Sequence, residues 1–288
     1  MAELLKKPVD IKTIKTSGDR FLDQPLQGRL EKGFFTKEIE ERLIRKEIDL
    51  AVHSLKDLPT EIDPRLKIGA YIKRAPVNDL LLIRAEWHDE ARIFPLKDGC
   101  VVGATALRRQ ALLRLYAREA TAFLLRGNVP TRLRKLKEAQ FGAIIIARAG
   151  VERLNLDLSS LVVYELNPEI WLPAPGQGAI AVEARADDKK VLEMLKEIND
   201  PETEQAVFLE RKLLANFGGG CHTAFGALAQ RNEDKWKIIV GIEDPKLVWA
   251  QVSLTGSFDE CLKHGPESLL NMKPYLVKKQ EELCRRIQ

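Results

Sequence analysis

The sequence predicts an α/β protein with two α/β units followed by a smaller α+β unit. Short apolar runs of strand length alternate with segments that repeat every three to four residues, the pattern of a strand–helix succession. A Pro- and Gly-rich stretch, Trp171-Leu172-Pro173-Ala174-Pro175-Gly176-Gln177-Gly178, breaks that succession. Beyond the glycines Gly218-Gly219-Gly220, two alternating runs read as antiparallel strands instead.

In chain order, residues 9–13 alternate like a strand. Residues 36–47 place Ile39, Leu43 and Ile44 on one helical face, and the apolar strand 48–52 follows. Val101-Val102 leads into a helix from about Thr105, after which residues 122–125, 129–138 and 143–147 read as strand, helix and strand. This succession predicts a parallel sheet. Residues 179–182 form a strand just past the Pro/Gly stretch, which is a candidate hinge at Gly176–Gly178. Asp200-Pro201 caps a long helix running to the glycines, residues 236–242 and 248–254 are the antiparallel strands, and a final helix carries Leu276, Leu283 and Ile287 on one face.

Composition narrows the function classes. The chain has 288 residues, 45% apolar and 31% charged, an ordinary globular balance. A net charge of +4 with interspersed signs, and few aromatics among the basic clusters, argues against a nucleic-acid partner. No apolar run approaches bilayer length and residues 1–7 have no signal-peptide core, so the expected location is cytoplasmic with no membrane partner. The four cysteines are too widely spaced for a disulfide framework or a zinc site, and no metal is expected.

Three groups of residues carry candidate chemistry. His53-Ser54-Leu55-Lys56-Asp57-Leu58-Pro59 lies just past the carboxyl end of a buried strand, where open α/β sheets place ligands. Asp57 there either moves protons or caps the turn before Leu58-Pro59. Arg108, Arg109, Arg126 and Arg132 sit at strand–helix junctions, where guanidinium forks and helix amides together favour a polyanionic ligand over plain solvated faces. Phe217-Gly218-Gly219-Gly220-Cys221-His222 puts a thiol on a permissive loop suited to covalent attachment, whereas a lone cysteine is otherwise a small buried hydrophobe.

Lys32-Gly33-Phe34-Phe35-Thr36-Lys37-Glu38, the His53–Pro59 motif, Leu107-Arg108-Arg109-Gln110, Leu125-Arg126-Gly127-Asn128-Val129, Leu172–Ala179 and Gly219-Gly220-Cys221 together resemble hydroxymethylbilane synthases, also called porphobilinogen deaminases, in family order from about residue 9 to 227. The resemblance implies two domains arranged like a periplasmic binding protein, with the active site in the cleft between them, and a third domain. Residues 1–74 and 179–199 would form the first, 75–178 the second, and 200–288 the C-terminal, cofactor-anchoring domain.

It further implies that a monomer joins four porphobilinogen molecules, with loss of ammonia, on a dipyrromethane cofactor held by a thioether to Cys221. Asp57 matches the catalytic aspartate, which would steady the azafulvenium cation left when ammonia departs. Lys56, Thr105, Arg108 and Arg109 match cofactor-binding positions, and Lys32, Arg126, Arg132, Arg153 and Gln177 match substrate-binding positions.

Two departures stand out. The family's opening strand and Arg-x-Ser loop have no counterpart, so the chain reads as starting about one β-α unit late, with two strand edges of the first domain left open. Gly103-Ala104-Thr105-Ala106 keeps one hydroxyl where the family has two serines. The competing expectation is a catalytically impaired member that only binds a carboxylated ligand.

Overall fold

Apolar strands that are buried on both faces set the architecture. The computed structural model describes residues 2–14, 36–216, 224–243 and 249–270, which open with the short helix α1 (Ala2–Leu5) and form three sheets. In the largest, β3 (Asp79–Ile83) and β6 (Ala143–Ala147) are buried along their whole length, as unbroken apolar runs require. They sit with β4 (Val101–Gly103), β5 (Thr121–Phe123) and β7 (Val162–Glu165) in the order β5-β4-β6-β3-β7. Helices α3 (Leu107–Tyr116), α4 (Val129–Lys137) and α5 (Arg148–Arg153) flank this sheet. Asn128 starts α4 by accepting a hydrogen bond from the Thr131 amide at 3.0 Å, with Pro130 in the first turn.

The first sheet contains β1 (Leu50–Ser54), β8 (Ile180–Arg185) and β2 (Leu66–Ile72), in the order β1-β8-β2. Helix α2 (Lys37–Ile44) covers one face through Leu43, and α6 (Lys189–Lys196) the other through Leu195. The third sheet joins β9 (Phe225–Asn232), β10 (Lys235–Glu243) and β11 (Trp249–Gly256) as antiparallel neighbours under α7 (Pro201–Asn216) and α8 (Phe258–Leu270). Asp200 accepts a hydrogen bond from the Thr203 amide at 2.9 Å, the cap expected from Asp200-Pro201.

Three expectations need correction. Residues 9–13 form no strand: among the described residues they have no strand partner, and Ile11 is 89% exposed. The Lys12 ammonium is tied instead to the Glu47 carbonyl at 2.7 Å. The first sheet is antiparallel rather than parallel, because β8 runs against both β1 and β2, and the five-stranded sheet is mixed, because β3 runs against β6 and β7. Among the described residues, β4 alone pairs in parallel, with β5 and β6. The chain also builds β9, β2, β3 and β7, which the periodicity did not reveal. The final helix expected around Leu276 lies outside the described residues.

Two segments cross between the first and second sheets, and their backbones touch. The Ala75 amide donates to the Gly178 carbonyl at 3.1 Å. Gly178 has φ +84°, and a Cβ there would lie 2.4 Å from the Ala75 oxygen, so only glycine fits. A fully buried acid locks this crossing. Glu210 on α7 accepts from Arg74 Nη1 and Nη2 at 2.8 Å each, from the Gly176 amide at 2.7 Å and from the Ala229 amide at 2.9 Å. Removing it would leave an enclosed guanidinium and two amides without their acceptor. Glu210→Ala is expected to lower the unfolding free energy by about 3–5 kcal/mol in urea titrations. A loss below about 1 kcal/mol, the size of a surface pair, would contradict this role.

Candidate active site

Leu55 and Leu58 are buried, so the 3-10 turn Leu55–Asp57 that follows β1 is pinned by its apolar ends. Asp57 is exposed and Lys56 partly enclosed, and both lie within electrostatic reach of the second unit, Lys56 of Arg108, Arg109 and Asp79 and Asp57 of Arg132. Burial lowers the Lys56 ammonium below its ordinary value. The Asp57 carboxylate opposes that shift, and the nearby Arg109 reinforces it.

On the second unit, Arg108 and Arg109 occupy the first turn of α3, and both are buried. Their partner is Asp79, at the head of β3. Arg109 donates through Nε at 3.1 Å and Nη2 at 2.6 Å, and Arg108 through Nη2 at 2.9 Å. The same carboxylate accepts from Trp171 Nε1 at 3.2 Å and Gln177 Nε2 at 2.9 Å. Burial alone would raise Asp79, but the two guanidiniums outweigh it and hold the carboxyl well below the usual range. Arg109 Nη1 also donates to the Ile145 carbonyl at 3.0 Å, and Arg108 Nη1 to that of Leu172. Arg108 Nε is buried without a hydrogen-bond partner among the described residues.

Arg132 on α4 closes the group. Its Nε donates to the Gly127 carbonyl at 2.7 Å, and burial, with repulsion from Arg109, lowers the guanidinium to about 10, so it remains charged at neutral pH. Lys56, Arg108, Arg109 and Arg132 thus share one electrostatic neighbourhood with two carboxylates, Asp57 and Asp79. Cations exceed anions there by two. In a partly enclosed cleft such an excess is unfavourable until an anionic ligand balances it.

The other expected site residues are placed less directly. The Thr105 hydroxyl donates to the Leu125 carbonyl. Gln177 is buried, with Nε2 on both Asp79 and the Val77 carbonyl at 2.7 Å. Arg153 donates to the Gly178 carbonyl at 2.6 Å, which sets it at the crossing rather than in the charged group. Arg126 is partly buried beyond β5, and its carbonyl accepts from Lys135 Nζ at 3.2 Å. Lys32 and Cys221 lie outside the described residues. His53 turns away from chemistry, with Nε2 3.3 Å from the buried Glu183 carboxylate. Among the described residues no group of three acids, histidines or cysteines could hold a metal, and no helix is long and apolar enough to cross a membrane.

Asp79, Glu210 and Arg74 were not found from the sequence. A signal existed for two of them. Asp79 heads the apolar run Leu80-Leu81-Leu82-Ile83, and Glu210 falls on the apolar stripe of Ala206, Leu209 and Leu213. An acid in either place demands a cationic partner.

A family model described as porphobilinogen deaminase, dipyromethane cofactor binding domain, matches residues 1–193. The porphobilinogen deaminase of Roseiflexus sp. (strain RS-1) is 42% identical over 275 residues, covering 91% of this chain and 88% of that protein. The probable porphobilinogen deaminase of Methanocaldococcus jannaschii is 44% identical over 236 residues, with 81% and 78% covered. Among solved structures, a substrate binding protein of an amino acid ABC transporter overlaps 75% of this chain and 78% of its own at 12% identity and a TM-score of 0.33. That overlap is partial, and the fold rests on the strand pairings above. With the model spanning most of the chain and relatives of this identity aligned over most of their length, this chain belongs to the porphobilinogen deaminase family.

Proposed function

We propose that Asp57 is the acid–base group of this enzyme, that Cys221 carries its dipyrromethane, and that the cations around Asp79 hold the carboxylates of cofactor and substrate. The activity is that of a hydroxymethylbilane synthase, which joins four porphobilinogen molecules with loss of ammonia into the linear tetrapyrrole of porphyrin biosynthesis. The observation that carries the residue assignment is the charge imbalance: two buried guanidiniums share the single carboxylate of Asp79, with Lys56 and Arg132 beside them. A cofactor and substrate bearing acetate and propionate groups fit that surplus, and the buried Arg108 Nε is a donor still to be satisfied.

When bound, dipyrromethane supplies the pyrrole carbon to which the incoming ring is joined. The chain's own residues do the rest. Arg108, Arg109, Lys56 and Thr105 orient the cofactor carboxylates, and Arg132, Arg126, Arg153, Gln177 and Lys32 serve the substrate. A carboxyl oxygen of Asp57, exposed to the cleft beside Lys56, gives a proton to the departing amine, faces the positive charge that develops, and later accepts the proton lost from the ring carbon. Residues 1–74 with 179–199, 75–178 and 200–288 are proposed as the three domains, moving about the Gly176–Gly178 crossing in a cytoplasmic monomer.

Binding without turnover is the less favoured reading, because similarity runs through 91% of the chain and 88% of the Roseiflexus protein rather than through the cleft residues alone. Intact-mass spectrometry separates the two. The purified protein supplied with porphobilinogen is expected to carry an adduct of dipyrromethane mass that Cys221→Ala lacks. Asp57→Asn is expected to keep the adduct while losing turnover by about 100-fold or more. A wild-type protein with no adduct, or a fully active Asp57→Asn, would overturn the assignment.

Lys56 adds a pH dependence. Its ammonium can hold a carboxylate only while protonated, so affinity is present below the Lys56 pKa and lost as pH rises through it. Because burial sets that pKa below the ordinary 10.5, kcat is expected to fall on the alkaline side, as the cofactor carboxylates lose their partner, before an ordinary lysine would titrate. Lys56→Arg should push the fall to higher pH, and an unmoved profile would show that Lys56 does not hold the cofactor.

A further inference from the structure

The turn that presents Lys56 and Asp57 is held by a residue that belongs to neither α/β unit. Arg211, on α7, donates through Nη1 to the Leu55 carbonyl at 3.3 Å and the Leu58 carbonyl at 3.0 Å, and through Nη2 to the Pro59 carbonyl. Those three oxygens flank the acid in sequence. The grip is doubled one helical turn earlier, where Val207 packs against Leu55 and Leu58 in the same apolar cluster. At the other end of the turn, the Leu55 amide is fixed to the Ala179 carbonyl at 3.1 Å. The carbonyls at the end of a 3-10 turn point out of it and carry partial negative charge, so a guanidinium is the fitting partner.

We infer that Arg211 is a positioning residue for Asp57: it fixes the Leu55–Pro59 backbone so that the carboxylate stays at one point of the cleft. The inference rests on the reading of Asp57 as the acid–base group. Two further observations support a role in alignment. Among the described residues Arg211 makes no hydrogen bond or ion pair to Asp57 or Lys56 and donates to main-chain carbonyls, so it acts through the backbone of the turn. The preceding residue, Glu210, holds the crossing of the two α/β units, so one helix sets both the crossing and the acid. The same helix ends at Asn216, shortly before Cys221 in the sequence. Movement of α7 would therefore carry the acid-bearing turn with it.

Three carbonyls demand a fork of donors, which an ammonium cannot reproduce. Arg211→Ala and Arg211→Lys are to be compared with wild type and Asp57→Asn as cofactor-loaded proteins, with loading read by intact mass and folding by circular dichroism. Both Arg211 variants are expected to keep the adduct, to hold KM near its wild-type value and to lose kcat by about 10- to 100-fold, the size of effect that a shift near 1 Å produces. Methylguanidinium added to Arg211→Ala is expected to restore part of kcat, while Asp57→Asn gains nothing from it.

If Arg211→Ala does not fold, Arg211→Lys decides the matter. Unchanged kcat in a folded Arg211 variant, or activity lost only in proportion to unfolded protein with no methylguanidinium response, overturns the positioning role. If Asp57→Asn loses turnover in the same experiment, the reading of Asp57 survives that result. If Asp57→Asn keeps its turnover, the acid–base assignment fails and the positioning role falls with it.

Discussion

Glu210 is a carboxylate with no access to solvent, and four donors from three parts of the chain meet on its two oxygens. A charge so enclosed is tolerated only if every donor is in place, since the penalty for burying it unpaired is several kcal/mol. The constraint works in both directions. It fixes α7 against β9, the Arg74 segment and the Gly176 turn, so any movement of the two α/β units about the crossing keeps these three together. Gly178 satisfies the same constraint sterically, because the approach of Ala75 leaves no room for a Cβ.

The crossing is joined to the charged group around Asp79 by an unbroken run of hydrogen bonds. Arg74 Nε donates to the Gln177 carbonyl at 2.9 Å, and Gln177 Nε2 in turn donates to Asp79, on which Arg108 and Arg109 are held. Asp79 orients the two guanidiniums but neutralises only one of them. The scaffold thus keeps its cations rigid while leaving the cleft short of negative charge, which is what recognition of a multiply carboxylated ligand needs. Trp171 Nε1 on the same carboxylate ties this arrangement to the core shared with the C-terminal sheet.

The strongly periodic or fully apolar segments were legible from sequence. Residues 143–147 were read as a strand and are β6, and the Asp200-Pro201 cap starts α7 as expected. What failed was anything decided by a partner far along the chain. Residues 9–13 have the alternation of a strand, but alternation makes no strand without an edge to pair with, and the segment has none among the described residues. Strand direction was equally hidden, because β8 enters the first sheet from the far side of the second unit and runs against both neighbours.

The site divided in the same way. Arg108, Arg109 and Asp57 could be named because their junction positions and motif are local. Asp79 could not, since its meaning lies in Arg108 and Arg109 some thirty positions away. Arg211 reads as one more charge on an exposed helix until its three carbonyls are seen.

The central claim is that this cleft joins porphobilinogen rather than merely holding it. The most direct test is a quenched time course with purified wild-type protein and porphobilinogen, measuring released ammonia and the mass of the released product together. The account predicts a linear tetrapyrrole with four ammonia molecules for each one formed. Porphobilinogen that binds while neither ammonia nor tetrapyrrole appears would contradict it.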